Sequence, residues 1–191
     1  MPDQTRPTLF SGGAAGSEAA FGAAAEAHGL DEVTFSFAGH APTRQRGLRL
    51  LSADDLALRD VSVQYVTKLM GRSYPGHADE GSFRALIQSI CWQVISGQEV
   101  FVVGEILPDL TVRGGTGWGA EFAKLCDKPL FVFDQRREAW FRWESDRWSA
   151  ARHPVIGKFR FTGTGTRDLA PVGAQAISDL LQRSFGTRFM S

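Results

Sequence analysis

The sequence is short of several things at once. It holds two cysteines, Cys91 and Cys126, with no Cys-x-x-Cys pair, so neither a disulfide framework nor a zinc knuckle is indicated. Both are expected as free thiols of a reducing, cytoplasmic compartment. His28, His77 and His153 stand at no metal-ligand spacing from one another or from the cysteines, and no metal site is expected. There is no run of about 18 apolar residues to span a bilayer. The alanine-rich start is interrupted by Glu18, Gly22, Glu26 and His28 before a leader-like pattern develops, so no membrane partner is expected. Charge of one sign is also missing, because 21 Lys and Arg balance 21 Asp and Glu. A balanced chain without an Arg/Lys stripe argues against nucleic acid as a partner and leaves any anion site to local groups.

What is present is ordinary globular material, 43% hydrophobic and 22% charged, with no linker-like stretch in the middle. One domain over 1–191 is expected, with an ordered core from about 8 to 185 and loose ends at Met1–Pro7 and after Phe185. Thr8–Phe10 reads as a strand that runs into the glycine-rich Ser11–Gly16, and Ser17 opens an alanine-rich helix to about His28. Gly29 suits a helix end, and Val33–Phe37 reads as a second strand. After a loop at Ala41–Gly47 comes a short strand, Leu48–Leu51, and Ser52 caps the next helix. From Asp54 to about Leu69 the residues Leu58, Val61, Tyr65, Val66 and Leu69 form a stripe expected to pack on a sheet. A helix over Asp79–Ser96 repeats the pattern.

Glu99–Ile106 is nearly continuous in apolar residues, as a central parallel strand requires. The glycine loop at Gly114 and a short helix over Trp118–Cys126 follow, then a buried strand, Pro129–Phe133, ending at Asp134. Trp140–Trp148 reads as a hairpin turning at Glu144, Ser145 and Asp146, and its rings suit either a cover for the sheet edge or a homodimer contact. A strand at Phe159–Thr162 and a closing helix at Val172–Phe185 complete the order. Strands alternating with helices predict an α/β, Rossmann-like fold: a mainly parallel sheet with helices on both faces.

In such sheets ligands bind beyond the carboxyl ends of the strands. Three loops have the place and composition for it. They contain Gly12, Gly13, Gly16 and Ser17; then Gly114, Gly115, Thr116, Gly117 and Trp118; then Gly163, Thr164, Gly165, Thr166 and Arg167. Glycine lets backbone approach an oxyanion, and helix-start amides supply donors. Each loop is also what a plain strand-to-helix turn needs. Arg167 is a candidate for a bidentate phosphate contact or for an ion pair with Asp168. Asp134 suits ribose hydroxyls or a turn cap, and His40, after the second strand, faces ligand or solvent.

The run Gly114-Gly115-Thr116-Gly117-Trp118-Gly119-Ala120-Glu121 resembles the GGxGTxxE motif of the Lonely-guy phosphoribohydrolases, with Trp118 where that family has threonine. Together with Lys128–Gln135 (KPLFVFDQ), the Trp-rich hairpin and Phe161–Leu169 (FTGTGTRDL), the order looks like the YpsA-like branch of the SLOG superfamily, which includes proteins labelled molybdenum carriers. The likeness runs from about Leu9 to Phe185 and is specific in the second half. The first loop of that branch usually reads SGGQTGxD, whereas Ser11–Glu18 here is SGGAAGSE.

The resemblance implies a SLOG-like Rossmannoid domain whose small-molecule partner is a nucleotide or nucleotide-derived phosphate, with no other cofactor. It further implies that Glu121 would act at the ribose of a nucleoside monophosphate, as in N-glycosidic hydrolysis, with an upstream arginine. The matching helix has no arginine at that place, and Arg84, about two turns earlier, is the substitute. Trp118 would stack on a base or fill a gap. A hydrolase and a non-catalytic sensor or carrier, of molybdenum-cofactor type, both remain open at this point.

Overall fold

The computed structural model of the chain describes residues 6–72 and 80–186. His77, the helix start at Asp79 and most of the expected loose ends lie outside the described residues. In chain order the elements are β1 (Thr8–Ser11), α1 (Ser17–Ala27), β2 (Asp31–Phe37), β3 (Leu48–Leu51), α2 (Ala53–Ala57), α3 (Asp60–Met70), α4 (Glu80–Ser96), β4 (Glu99–Gly104), α5 (Thr116–Leu125), β5 (Leu130–Asp134), β6 (Ala139–Glu144), β7 (Arg147–Ala150), β8 (Arg160–Gly165) and α6 (Pro171–Phe185).

One eight-stranded sheet runs β3-β2-β1-β8-β4-β5-β6-β7. It is parallel from β3 through β5, and the hairpin β6–β7 is added antiparallel at one end. This is the expected Rossmann-like α/β architecture. Alternation along the strands sorts the core into two faces. Phe101 and Val103 of β4 join Leu9, Phe21 and Leu180 under α1 and α6, while Val100 and Val102 join Ile87, Ile90, Val94 and Trp118 under α4 and α5. The continuous apolar run of β4 is buried along its whole length, because it is covered on both sides. Among the described residues no helix is long and apolar enough to cross a membrane.

The segment after Ser52 departs from expectation twice. A single helix over Asp54–Leu69 is instead two, broken at Leu58–Arg59. The indole of Trp92 donates to the Asp55 carbonyl at 2.8 Å. That oxygen is the acceptor the Arg59 amide would need to continue an α-helix, and the Arg59 amide turns to Leu56 O at 2.9 Å. Four of the five residues of the stripe also face the other way, Val66 being the exception. α3 packs on α4 and α5 rather than on the sheet, and it buries Val63 and Val66, leaving Leu58, Val61, Tyr65 and Leu69 exposed.

The hairpin turns through Ser145 and Asp146, both at positive φ, as a tight two-residue connection requires. Its rings turn inward. Trp140 is buried edge-on to Phe101 and Phe133, and Trp143 and Trp148 meet with centroids 5.0 Å apart beneath α5's Lys124, whose ammonium sits 3.7 Å from the Trp143 centroid.

Gly163, expected at a ligand loop, lies within β8 instead. A Cβ there would come within 2.6 Å of Phe21 and 2.9 Å of Leu9, so the missing side chain lets α1 close onto the sheet. Gly163→Ala is expected to lower stability by about 1–3 kcal/mol through overpacking, read as a lower urea midpoint at unchanged slope.

Candidate functional site

Strand order reverses in the middle of the sheet. β1, β2 and β3 step one way, β4 and β5 the other, and β8 is inserted between β1 and β4. Because these strands are parallel, the ends of β1, β8 and β4 lie side by side, and the loops that leave them diverge around a cleft of about 570 Å³. Its floor contains Glu18 and Thr164, one wall is α4's Phe83, Leu86 and Ile90, and the far end is Gly114, Gly115 and Thr116 at the start of α5. Such a reversal is where open α/β sheets place their ligands.

The middle loop points usable groups into this space. Among the described residues the amides of Gly114, Gly115 and Thr116 form no hydrogen bond, whereas those of Gly117 and Trp118 close the first helical turn onto Gly114 O and Gly115 O at 3.1 Å each. Gly114 requires glycine for its φ of +71°. Gly115 does not, since its φ of −59° and ψ of −30° suit any residue, and a Cβ there would meet nothing nearer than Ile87 Cδ1 at 4.0 Å. Neither backbone conformation nor packing accounts for a bare position there. The loop is braced from behind by Arg72, which donates to Val112 O at 3.1 Å, Gly114 O at 3.4 Å and Thr111 Oγ1, with its guanidinium over the Trp118 ring. Nothing in the spacing of the sequence marked Arg72.

The first loop, expected to hold phosphate, is packed closely by other segments and bonds several of its amides internally, although those of Ala15 and Gly16 form no hydrogen bond among the described residues. A Cβ on Gly13 would strike the Arg44 carbonyl, and one on Gly16 the Arg167 carbonyl. Gly12 faces Gln93 and Glu18 too closely for a side chain. The Gly13 amide donates to Ser11 Oγ at 3.3 Å and the Ala14 amide to Glu18 Oε2 at 3.0 Å. Ser17 gives both its amide and its hydroxyl to Thr166 O, at 3.0 and 2.8 Å. These four positions are therefore corrected from ligand contacts to the close packing of one loop on another.

Other expected contacts divide. Thr164, Gly165, Thr166 and Arg167 line the cleft, although Thr164 is spent on Glu18 and Gly165 is kept bare by Val103 O and Ser17. Trp118 does not reach the cleft. It is buried against Phe83 and donates to Thr67 Oγ1 at 2.8 Å, so its bulk fills the space between α5 and α3. Gly117 is bare because Val112 O and Arg72 crowd it. Asp134 caps backbone, accepting from Ile106 N at 3.1 Å, Arg136 N at 2.9 Å and Arg137 N at 3.2 Å.

The candidate catalytic pair is dispersed. Glu121 is bound to Lys124 at 2.6 Å under the aromatic hairpin, and Lys124 also donates to Leu110 O. Arg84 is paired with Asp60 at 2.8 Å on the outer helices. Neither residue lines the cleft.

The cleft's charges are local. Glu105 is held by Arg113 at 2.5 Å and by Arg136 at 2.9 Å, which draw its carboxyl down to about 2. Arg167 is exposed at the rim and makes no salt bridge among the described residues.

Beneath it lies Glu18, which the sequence marked only as a departure from a motif. Its carboxylate is buried and receives the Ala14 amide and the Thr164 hydroxyl at 2.8 Å; with the Gln93 side-chain amide assigned the orientation that satisfies its neighbours, the nitrogen donates to Glu18 at 3.2 Å and the oxygen accepts from the Gly12 amide. Burial raises its pKa, against the pull of these bonds and of Arg167. Truncating Glu18 would orphan several buried donors at once. Glu18→Ala is therefore expected to cost at least about 2 kcal/mol, measured by equilibrium urea unfolding.

No protein-family model matches the sequence, and no curated protein matches it. Among solved structures the chain is similar to one from Syntrophus aciditrophicus named as a putative molybdenum carrier protein, at 15% identity and a TM-score of 0.53, over 93% of this chain and 95% of that one. At that identity the likeness is one of fold.

Proposed function

We propose that the cleft binds a phosphate-bearing, nucleotide-type small molecule and carries or senses it without breaking it. The single observation behind this reading is Gly115: a helix-compatible position with open space before it, at the head of a ten-residue helix whose first amides have no internal acceptor. A phosphate oxygen in that space would meet the amides, the positive end of the helix dipole and the nearby Arg113 and Arg167. In a chain of zero formal charge this local arrangement replaces a global field.

The resemblance of Gly114–Glu121 to the Lonely-guy motif, and of the chain to the YpsA-like branch of the SLOG superfamily, supports a phosphate at this loop. The carrier half of the reading is supported by two things: the solved structure of similar fold bears the name of a molybdenum carrier, and a molybdenum-cofactor-type ligand would offer the same phosphate handle. N-glycosidic hydrolysis has no such support, because Glu121 and Arg84 are engaged with Lys124 and Asp60 away from the cleft.

Titration calorimetry with nucleoside 5′-monophosphates is expected to give saturable binding, and chromatography after long incubation to give no free base. Gly115→Leu is expected to weaken that binding at least tenfold while leaving the thermal midpoint nearly unchanged. Released base would overturn the carrier reading, and undiminished affinity in the variant would overturn the site.

A further inference from the structure

Past Arg167 the cleft opens into a second chamber of about 540 Å³ beyond the end of β2, sharing Ala14, Phe83, Leu86 and Arg167 with the first. The two differ in chemistry. The α5-side chamber is lined by free amides and by Arg113, Glu105 and Asp168. Among the described residues no Asp, Glu, Lys or Arg other than Arg167 at the junction lines the β2-side chamber, whose lining joins small and aromatic residues, Ala14, Ala15, Phe37, His40 and Phe83, with the hydroxyl-bearing Thr43 and Ser82. Ala14 and Ala15 are the two residues that stand where the SGGQTGxD pattern has polar side chains.

Within this chamber His40 is held as a flat plate. Its imidazole lies parallel to the Phe37 ring, with centroids 5.0 Å apart and 10° between planes. Nδ1 is 3.1 Å from Ser36 Oγ, and the His40 amide donates to Phe37 O at 3.0 Å. One ring face is covered by Phe37, and the half-buried residue lines the chamber. Burial, and then Arg167, hold the imidazole below its ordinary pKa, which favours an uncharged ring near neutral pH.

We propose that the β2-side chamber seats the aromatic heterocycle of the ligand, stacked on the face of His40 opposite Phe37, with Arg167 over the junction between heterocycle and phosphate. This rests on the phosphate reading of the α5-side chamber and assigns the part of the ligand that reading leaves open. A platform of stacked rings accepts any planar base, because every base has a π-face. The gain of a nucleotide over a base-free sugar phosphate would then come from the heterocycle end, and the affinity common to both from the phosphate end.

The test compares ribose 5-phosphate with the four common nucleoside 5′-monophosphates by calorimetry on the wild-type chain, His40→Ala and His40→Phe, with thermal melts to establish that each is folded. The expected result is that the best nucleotide binds wild type at least ten times more tightly than ribose 5-phosphate does. His40→Ala should erase that advantage without changing ribose 5-phosphate binding, and His40→Phe, which keeps a ring, should retain most of it. Equal loss for both ligands in His40→Ala, or no loss for either, would overturn the heterocycle seat while leaving the phosphate site standing. If no ligand binds wild type, the phosphate reading fails, and this assignment fails with it.

Discussion

A buried carboxylate sits where the sheet changes direction, and the geometry of the cleft follows from satisfying it. Glu18 lies in the first turn of α1 and takes hydrogen bonds from the β1–α1 loop, from Thr164 on β8 and from Gln93 on α4. A carboxylate removed from water tolerates burial only when its lone pairs are filled. Three elements far apart in sequence must therefore meet at one point. That meeting fixes the first glycine loop in a closed form and leaves the space above it bounded by α4, the β8 exit and the start of α5.

The three glycine loops look alike in composition and have different physical jobs. In the first, backbone packs against Arg44 and Arg167; in the third, Gly163 and Gly165 admit Phe21 and Val103 O. Only at Gly114 and Gly115 does absence of a side chain coincide with open volume and unbonded amides. Arg72 braces that loop from behind by donating to the Val112 and Gly114 carbonyls, the second shared with the Gly117 amide, while the amides of Gly114, Gly115 and Thr116 form no hydrogen bond among the described residues.

Much of the architecture was legible because it is written in local pattern. The run Glu99–Gly104 reads as a strand covered on both faces, and Ser145-Asp146 reads as a turn. Patterns that depend on a third partner were not legible. The stripe from Leu58 to Leu69 has helical spacing, yet nothing in its composition says that Trp92 will claim the Asp55 carbonyl and break the helix, or that α3 will rest on other helices. The same limit applies to the site. Glycine content located the α5 loop, whereas Glu121 and Arg84 came from the motif resemblance and found other ionic partners; Glu18 and Arg72 act through contacts between distant segments that spacing does not encode.

The margins of the sheet carry a consequence of their own. It is bounded by β3 on one side and β7 on the other, each of four residues, with Arg49 and Arg147 exposed along them. An incoming extended chain would find room for only a couple of ladder bonds before the strand ends, with cationic side chains in the way. The longer strands in the middle of the sheet are enclosed by their neighbours, so each open edge offers only four residues for an incoming strand to pair with.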